Sequence, residues 1–197
     1  MDIYPKKMNL KDKTVVELRP LTQNDKGILI NFFSSLNEEE KFYLKEDVNN
    51  PEIVDRIFRD LDYNRVFPLI ALKDNEIIAY GTLYLNTFGW MKYNGEMRVS
   101  VLSKFQNKGL GTLMTADLVK EAVNHGLHYL QSLFCSDQAA AIKVFENAGF
   151  KIEAILRKYV VNINNEPRDL IIMTNDVNEL WKQMEDIYYE FEYKRFE

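Results

Sequence analysis

The stretch from Glu96 to Gly111, EMRVSVLSKFQNKGLG, holds the residues best suited to chemistry. Its first part alternates as a strand does. Met97, Val99 and Val101 fall on one face, and Glu96, Arg98 and Ser100 on the other. A loop follows, Gln106-Asn107-Lys108-Gly109-Leu110-Gly111, and then a long helical pattern. Glycines let a backbone turn tightly and come close to a ligand. The first N–H groups of a helix lack internal acceptors, and the helix dipole favours an anion there. Lys108 adds positive charge. The chemistry this suits is the holding of a diphosphate. Two common cradles do not fit. Gly111 is followed by Thr112-Leu113, without the Lys-Ser/Thr pair of a P-loop. Met114 stands where a dinucleotide fingerprint needs Gly or Ala.

The elements that position this stretch follow from periodicity. Thr14–Pro20 reads as a first strand, and Thr22 as the cap of a helix reaching about Leu36. Asn37 opens an acidic first turn, and Pro51 a further helix to about Leu61. Val66–Leu72 and Glu76–Leu85 flank Lys73-Asp74-Asn75 and predict a hairpin. Next come the strand at 96–102, a helix over 108–126 and a strand over 129–136. A helix over 137–148 stops at Gly149. Two paired strands, 150–161 and 168–175, precede a terminal amphipathic helix. This order predicts an α/β fold with a mixed sheet and crossover helices. Residues 1–13 are polar and are expected to form a loose arm. Residues 14–176 form the domain. The helix at 177–197 carries Leu180, Trp181, Met184 and Tyr188, and packs on that domain or on a second copy in a homodimer.

Composition narrows the classes. The 197 residues, 46% of them apolar, suit one globular domain with a sizeable core. Twenty-five basic against 30 acidic residues leave a net charge of −5, which disfavours nucleic acid and anionic membrane as partners. One cysteine excludes an internal disulfide and a cysteine-cluster zinc site. No apolar run approaches the roughly 20 residues of a membrane span, so a cytoplasmic location is expected. His125 and His128 lack a zinc-binding spacing, and no metal is expected.

Glu-x-Arg-Val-x-Val, Gln-x-x-Gly-x-Gly, a long helix and then Ala140-Ala141-Ile142-Lys143-Val144-Phe145-Glu146-Asn147-Ala148-Gly149-Phe150 together resemble the GNAT superfamily of acyl-CoA-dependent N-acetyltransferases. The resemblance implies a mostly antiparallel sheet splayed at its middle, with helices on its flanks. The terminal helix lies outside it. It implies acetyl-CoA as co-substrate, its pyrophosphate held by backbone N–H groups from Gln106 through Asn107, Lys108, Gly109, Leu110 and Gly111 to Thr112. It also implies that the main chain at Val99, Ser100 and Val101 pairs with the pantetheine arm, which looks like a short peptide. Gln138 and Phe145 fall at further cofactor-facing positions. Relatives often carry Asn and Tyr there, and Phe145 cannot protonate a leaving thiolate. Tyr159, on the next strand, is one candidate to replace that hydroxyl.

Glu96 matches a position where relatives keep a catalytic carboxylate, and burial is expected to raise its pKa towards that of a useful base. The alternative is a surface Glu beside Arg98. Tyr43, Tyr80, Tyr84, Trp90 and Tyr93 are expected around the acceptor pocket or in the core, and Glu46-Asp47 at an ammonium site or in a solvated loop. Cys135 reads as a buried small apolar residue. The expected reaction is direct attack of a small metabolite's primary amine on acetyl-CoA. A protein lysine or N-terminus as acceptor, and a non-catalytic acyl-CoA sensor, remain open alternatives.

Overall fold

The structure is a computed structural model and describes residues 4–193. Residues 1–3 of the expected arm and 194–197 of the terminal segment lie outside the described residues. The strands are β1 (Lys6–Asn9), β2 (Val15–Pro20), β3 (Val66–Lys73), β4 (Glu76–Leu85), β5 (Asn94–Val101), β6 (Tyr129–Cys135), β7 (Lys151–Val161) and β8 (Pro167–Asp176). The helices are α1 (Lys26–Ser35), α2 (Glu38–Phe42), α3 (Pro51–Arg59), α4 (Leu110–Asn124), α5 (Ala139–Asn147) and α6 (Val177–Tyr193). The sheet order is β1-β2-β3-β4-β5-β6-β8-β7, and only β5 and β6 run parallel.

Local chemistry explains the boundaries. Asp74 and Asn75 both adopt positive φ, as a two-residue hairpin turn demands, so β3 and β4 pair directly around them. Asn37 and Glu40 cap α2 reciprocally, side chain to backbone. Asn50 caps α3, and Pro51 fills its first turn. Ahead of α1, Asp25 accepts from the Thr22 backbone and takes a two-pronged contact from Arg19, and a short 3-10 turn precedes the helix.

The alternation of β3 and β4 builds a core on each face of the sheet. Leu69, Ala71, Ile78, Ala79 and Leu83 pack with Met97 beneath α4 and α6. Ile70, Leu72 and Ile77 pack beneath α1 and α3, with Leu29, Phe32, Phe33, Val54 and Phe58.

One expectation changes. The N-terminal segment is not a loose arm. Lys6–Asn9 pairs antiparallel with β2, and Met8 and Leu10 are buried. Its lysines hid the strand, because Lys6 is a buried cation. Its ammonium lies 2.6 Å from the wholly buried carboxylate of Asp117 on α4, and Tyr4 donates its hydroxyl to the same carboxylate. The terminal helix docks on its own chain, one of the two placements expected for it. Val177, Leu180, Met184 and Tyr188 join the core under α4, and the Lys120 ammonium lies 4.4 Å from the Tyr188 ring centre. The segment before residue 14 and the helix after residue 176 both pack on the core of residues 14–176.

Removing one member of a buried ion pair strands the other charge, which typically costs about 3–5 kcal/mol. Lys6→Ala is expected to destabilise the fold by about that amount, read as a lower urea midpoint with an unchanged m-value. An unmoved midpoint would mean that the Lys6–Asp117 pair contributes nothing net to stability.

Candidate active site

The site begins where the sheet divides. β5 and β6 pair only at Asn94–Tyr129, Gly95–Leu130 and Glu96–Gln131. Beyond Glu96 they separate. Ser132 Oγ fills the vertex and donates to the Met97 carbonyl at 2.7 Å. Gln106 Nε2 donates to the Val101 carbonyl at 3.0 Å, and the Cys135 amide donates to Gln138 Oε1 at 2.9 Å. A cavity of about 640 Å³ opens here. Val99, Ser100 and Val101 line one bank, and Leu133 and Phe134 the other. Gln106, Asn107 and Gly111 line the loop end, and Gln138, Val144 and Phe145 the α5 side. Phe145 also packs edge-on to Phe134, with ring centres 4.9 Å apart.

The loop is open as a cradle must be. Asn107 and Gly109 both take positive φ, 60° and 86°, which turns successive amides to one side. Gly109, the residue before α4, carries no side chain to cap the helix. Among the described residues, no backbone N–H from Asn107 to Thr112 donates to a protein acceptor. A Cβ on Gly111 would project beside Val144 and Val101 into the cavity that the loop lines. Leu110 is buried and anchors the helix start.

Two loop expectations need correction. The Gln106 amide is not part of the cradle, because it donates to the Ser103 carbonyl at 3.2 Å. Lys108 is not an unopposed charge. Its ammonium pairs with Asp12 at 2.8 Å, and its carbonyl accepts from the Lys11 amide at 3.2 Å. The N-terminal segment thus braces the loop from behind, with the Lys11 side chain packed over Gly109. Lys108 also holds the Asp12 carboxyl well below the usual carboxylate range.

The same cavity extends under α2 and α3. Register fixes that wall: Tyr80 pairs with Ser100, Thr82 with Arg98 and Tyr84 with Glu96, so these side chains share one sheet face. Tyr43, Tyr80 and Tyr84 all line the cavity. The Tyr80 ring lies 5.8 Å from that of Phe33. Burial first, then Cys135 and Asp137, push the Tyr43 hydroxyl up to about 12.

Glu96 departs from its expected state. Burial pushes its carboxyl up, but Arg98 and then Lys45 outweigh burial and leave it below the ordinary value. Arg98 Nε lies 2.8 Å and Lys45 Nζ 3.4 Å from the same oxygen. Arg98 and Lys45 line the cavity, whereas Glu96 does not. A carboxylate so paired is a poor proton acceptor. Tyr159 is also displaced from its candidate role. It is 68% exposed, beside Lys158 at positive φ, in a bulge where β7 slips register against β8, and it lies outside the cavity lining. Trp90 is 93% exposed on the β4–β5 connection, and Tyr93 stacks on His128. Glu46 lines the cavity but is paired with Arg56. Sequence reading treated Arg98 only as a neighbour of Glu96. The signal for it was the alternation itself, which sets residue 98 on the face of residues 96 and 100.

Comparison with known proteins gives the family. The sequence family described as the acetyltransferase (GNAT) family matches residues 30–150. No curated protein sequence matches the chain. Solved structures do. The GNAT domain of S. lividans PAT superposes with a TM-score of 0.73 at 18% identity, covering 87% of this chain and 96% of that one. A GNAT-family acetyltransferase from Streptococcus pneumoniae gives 0.70 at 19%, covering 82% and 98%. yncA of Salmonella typhimurium, solved with its cofactor acetyl-CoA, gives 0.67 at 20%, covering 83% and 95%. The likeness to these structures is one of fold, and the family match spans the divided sheet and its loop: this chain belongs to the GNAT family of acetyltransferases.

Proposed function

We propose that the protein moves an acetyl group from acetyl-CoA to the primary amine of a small metabolite by direct attack. The observation that carries this reading is one continuous cavity, running from the open amides at 107–112, along the parted β5, to the tyrosine-lined wall under α2. The amides suit a diphosphate, and the unpaired bank of β5 suits an amide-bearing arm. The amine nitrogen forms a bond to the thioester carbon, the C–S bond breaks, and CoA leaves as thiolate. A strand N–H aimed at the developing oxyanion is worth typically about 2.7–4 kcal/mol. With Phe145 unable to donate a proton, the thiolate leaves unassisted and takes its proton from water, which a thiol pKa near 8.5 makes tolerable. The proton lost by the ammonium passes to solvent, since Glu96 is engaged by two cations. The recess under α2 and α3 has room for a small acceptor.

The test is release of free thiol from acetyl-CoA across a panel of amines. Tight acetyl-CoA binding with no release above background would instead establish a sensor. Gly111→Glu places a carboxylate against the diphosphate, and acetyl-CoA binding is expected to fall at least about 100-fold, by calorimetry. Unchanged affinity would refute the cradle. The pH profile follows from the ionisation states. The Glu96 carboxyl lies below its ordinary value, so it is ionised throughout neutral pH and contributes no inflection there. An alkyl ammonium of pKa near 10 supplies about tenfold more free amine per pH unit. Turnover at low acceptor concentration is therefore expected to rise steadily from pH 6 to pH 9 by about that factor per unit. A plateau set by a group near pH 6 or 7 would restore a protein base.

A further inference from the structure

We propose that the acceptor is an α-amino acid with an apolar side chain, and that Arg98 binds its carboxylate. The inference rests on the transferase reading above and names the substrate class of the same site.

Arg98 is held by one edge only. Its Nε donates to Glu96 Oε1, and the same oxygen takes the Lys45 ammonium. That leaves the far edge of the guanidinium, Nη1 and Nη2, with no hydrogen bond to any of the described residues. Arg98 lines the cavity from β5, next to the bank at 99–101. A guanidinium fixed through Nε presents its two outer nitrogens as a rigid fork, and the fork matches a carboxylate in two parallel hydrogen bonds. Arg98, Lys45 and Glu96 together leave one net positive charge at this wall. A polyamine or a simple monoamine would leave the fork unmatched.

A carboxylate on Arg98 sets the neighbouring amino group beside β5, where the thioester is expected. The rest of the acceptor then faces the wall opposite. Leu36, Leu44, Val48, Ile57 and Leu61 give that wall its apolar part. Of its charged members, Glu46 is paired with Arg56 and Glu40 accepts from Ser103, while Glu39 and Asp60 also line the cavity. Glu96 is, in this reading, a positioning residue that aims Arg98 and never meets the substrate.

The experiment compares L-leucine with L-leucinamide, isoamylamine and spermidine in the thiol-release assay, and measures binding of leucine to CoA-loaded protein by calorimetry. The amide and the acid share one shape but not one amine pKa, the amide's ammonium being the more acidic, so kcat/KM is compared per free amine, and the pair then isolates the carboxylate. The expected result is a kcat/KM for leucine about 10- to 100-fold above that for leucinamide. Arg98→Gln is expected to erase this preference with little change in acetyl-CoA affinity, and Arg98→Lys to restore part of it. Glu96→Gln is expected to raise KM for leucine while leaving KM for acetyl-CoA in place, a split that a general loss of structure would not give. Release with spermidine or isoamylamine but not leucine overturns the inference and leaves the transferase reading standing. Leucine binding that depends on Arg98 without any thiol release sinks the transferase reading and keeps the carboxylate site. Should the Arg98 variants fail to fold, equal rates for leucine and leucinamide with the wild-type chain overturn it alone. Absence of both leucine binding and any acid preference does the same.

Discussion

A sheet that parts between two of its central strands must dispose of the backbone groups it uncovers. An unpaired peptide group away from water costs about as much as a lost hydrogen bond, so such a gap closes unless its rims are held. Here three side chains hold them. Ser132 takes the Met97 carbonyl at the vertex, Gln106 takes the Val101 carbonyl near the loop, and Gln138 takes the Cys135 amide on the opposite bank. The groups that remain along residues 99–101 are those a peptide-like arm can meet. The division of β5 from β6 is thus a built opening, and both the loop and the pocket take their places from it.

The loop shows the same logic. Its amides stay open because the segment behind it satisfies everything else. The Lys11 amide takes the Lys108 carbonyl, Asp12 neutralises the Lys108 ammonium, and Lys11 packs over Gly109. That brace depends on β1, and β1 depends on the buried contact of Lys6 with Asp117 in the helix that the loop opens. The first residues of the chain and the start of α4 therefore form one mechanical unit. Rigidity matters because a cradle of amides holds an anion well only when they are pre-aimed.

Alternation, glycine positions and caps made most of the fold and the loop readable from sequence. What was not readable depended on partners distant along the chain. Lys6-Lys7-Met8-Asn9 looks solvated until Asp117 is placed beside Lys6. Glu96 looks like a base until Lys45, fifty-one positions earlier, reaches it across the pocket. Tyr159 fits a strand of regular period, but β7 bulges between Leu156 and Val160 and the ring goes to solvent. Local pattern fixes which face a residue is on. It does not fix what charge lies opposite, and charge decides chemistry here.

A carboxylate on β5 can take a proton only if its ionised form is not too comfortable. Two cations on one oxygen make it comfortable, and they act more strongly than the partial burial that opposes them. The same contacts that spoil Glu96 as a base make Arg98 a better anion receptor, because a guanidinium anchored at Nε has less freedom left to lose on binding. On the proposed reading, one short strand face serves substrate recognition in place of proton transfer without moving its backbone. On that reading the amine's own ionisation governs the supply of nucleophile, and the protein's contribution is to hold nucleophile and thioester in line.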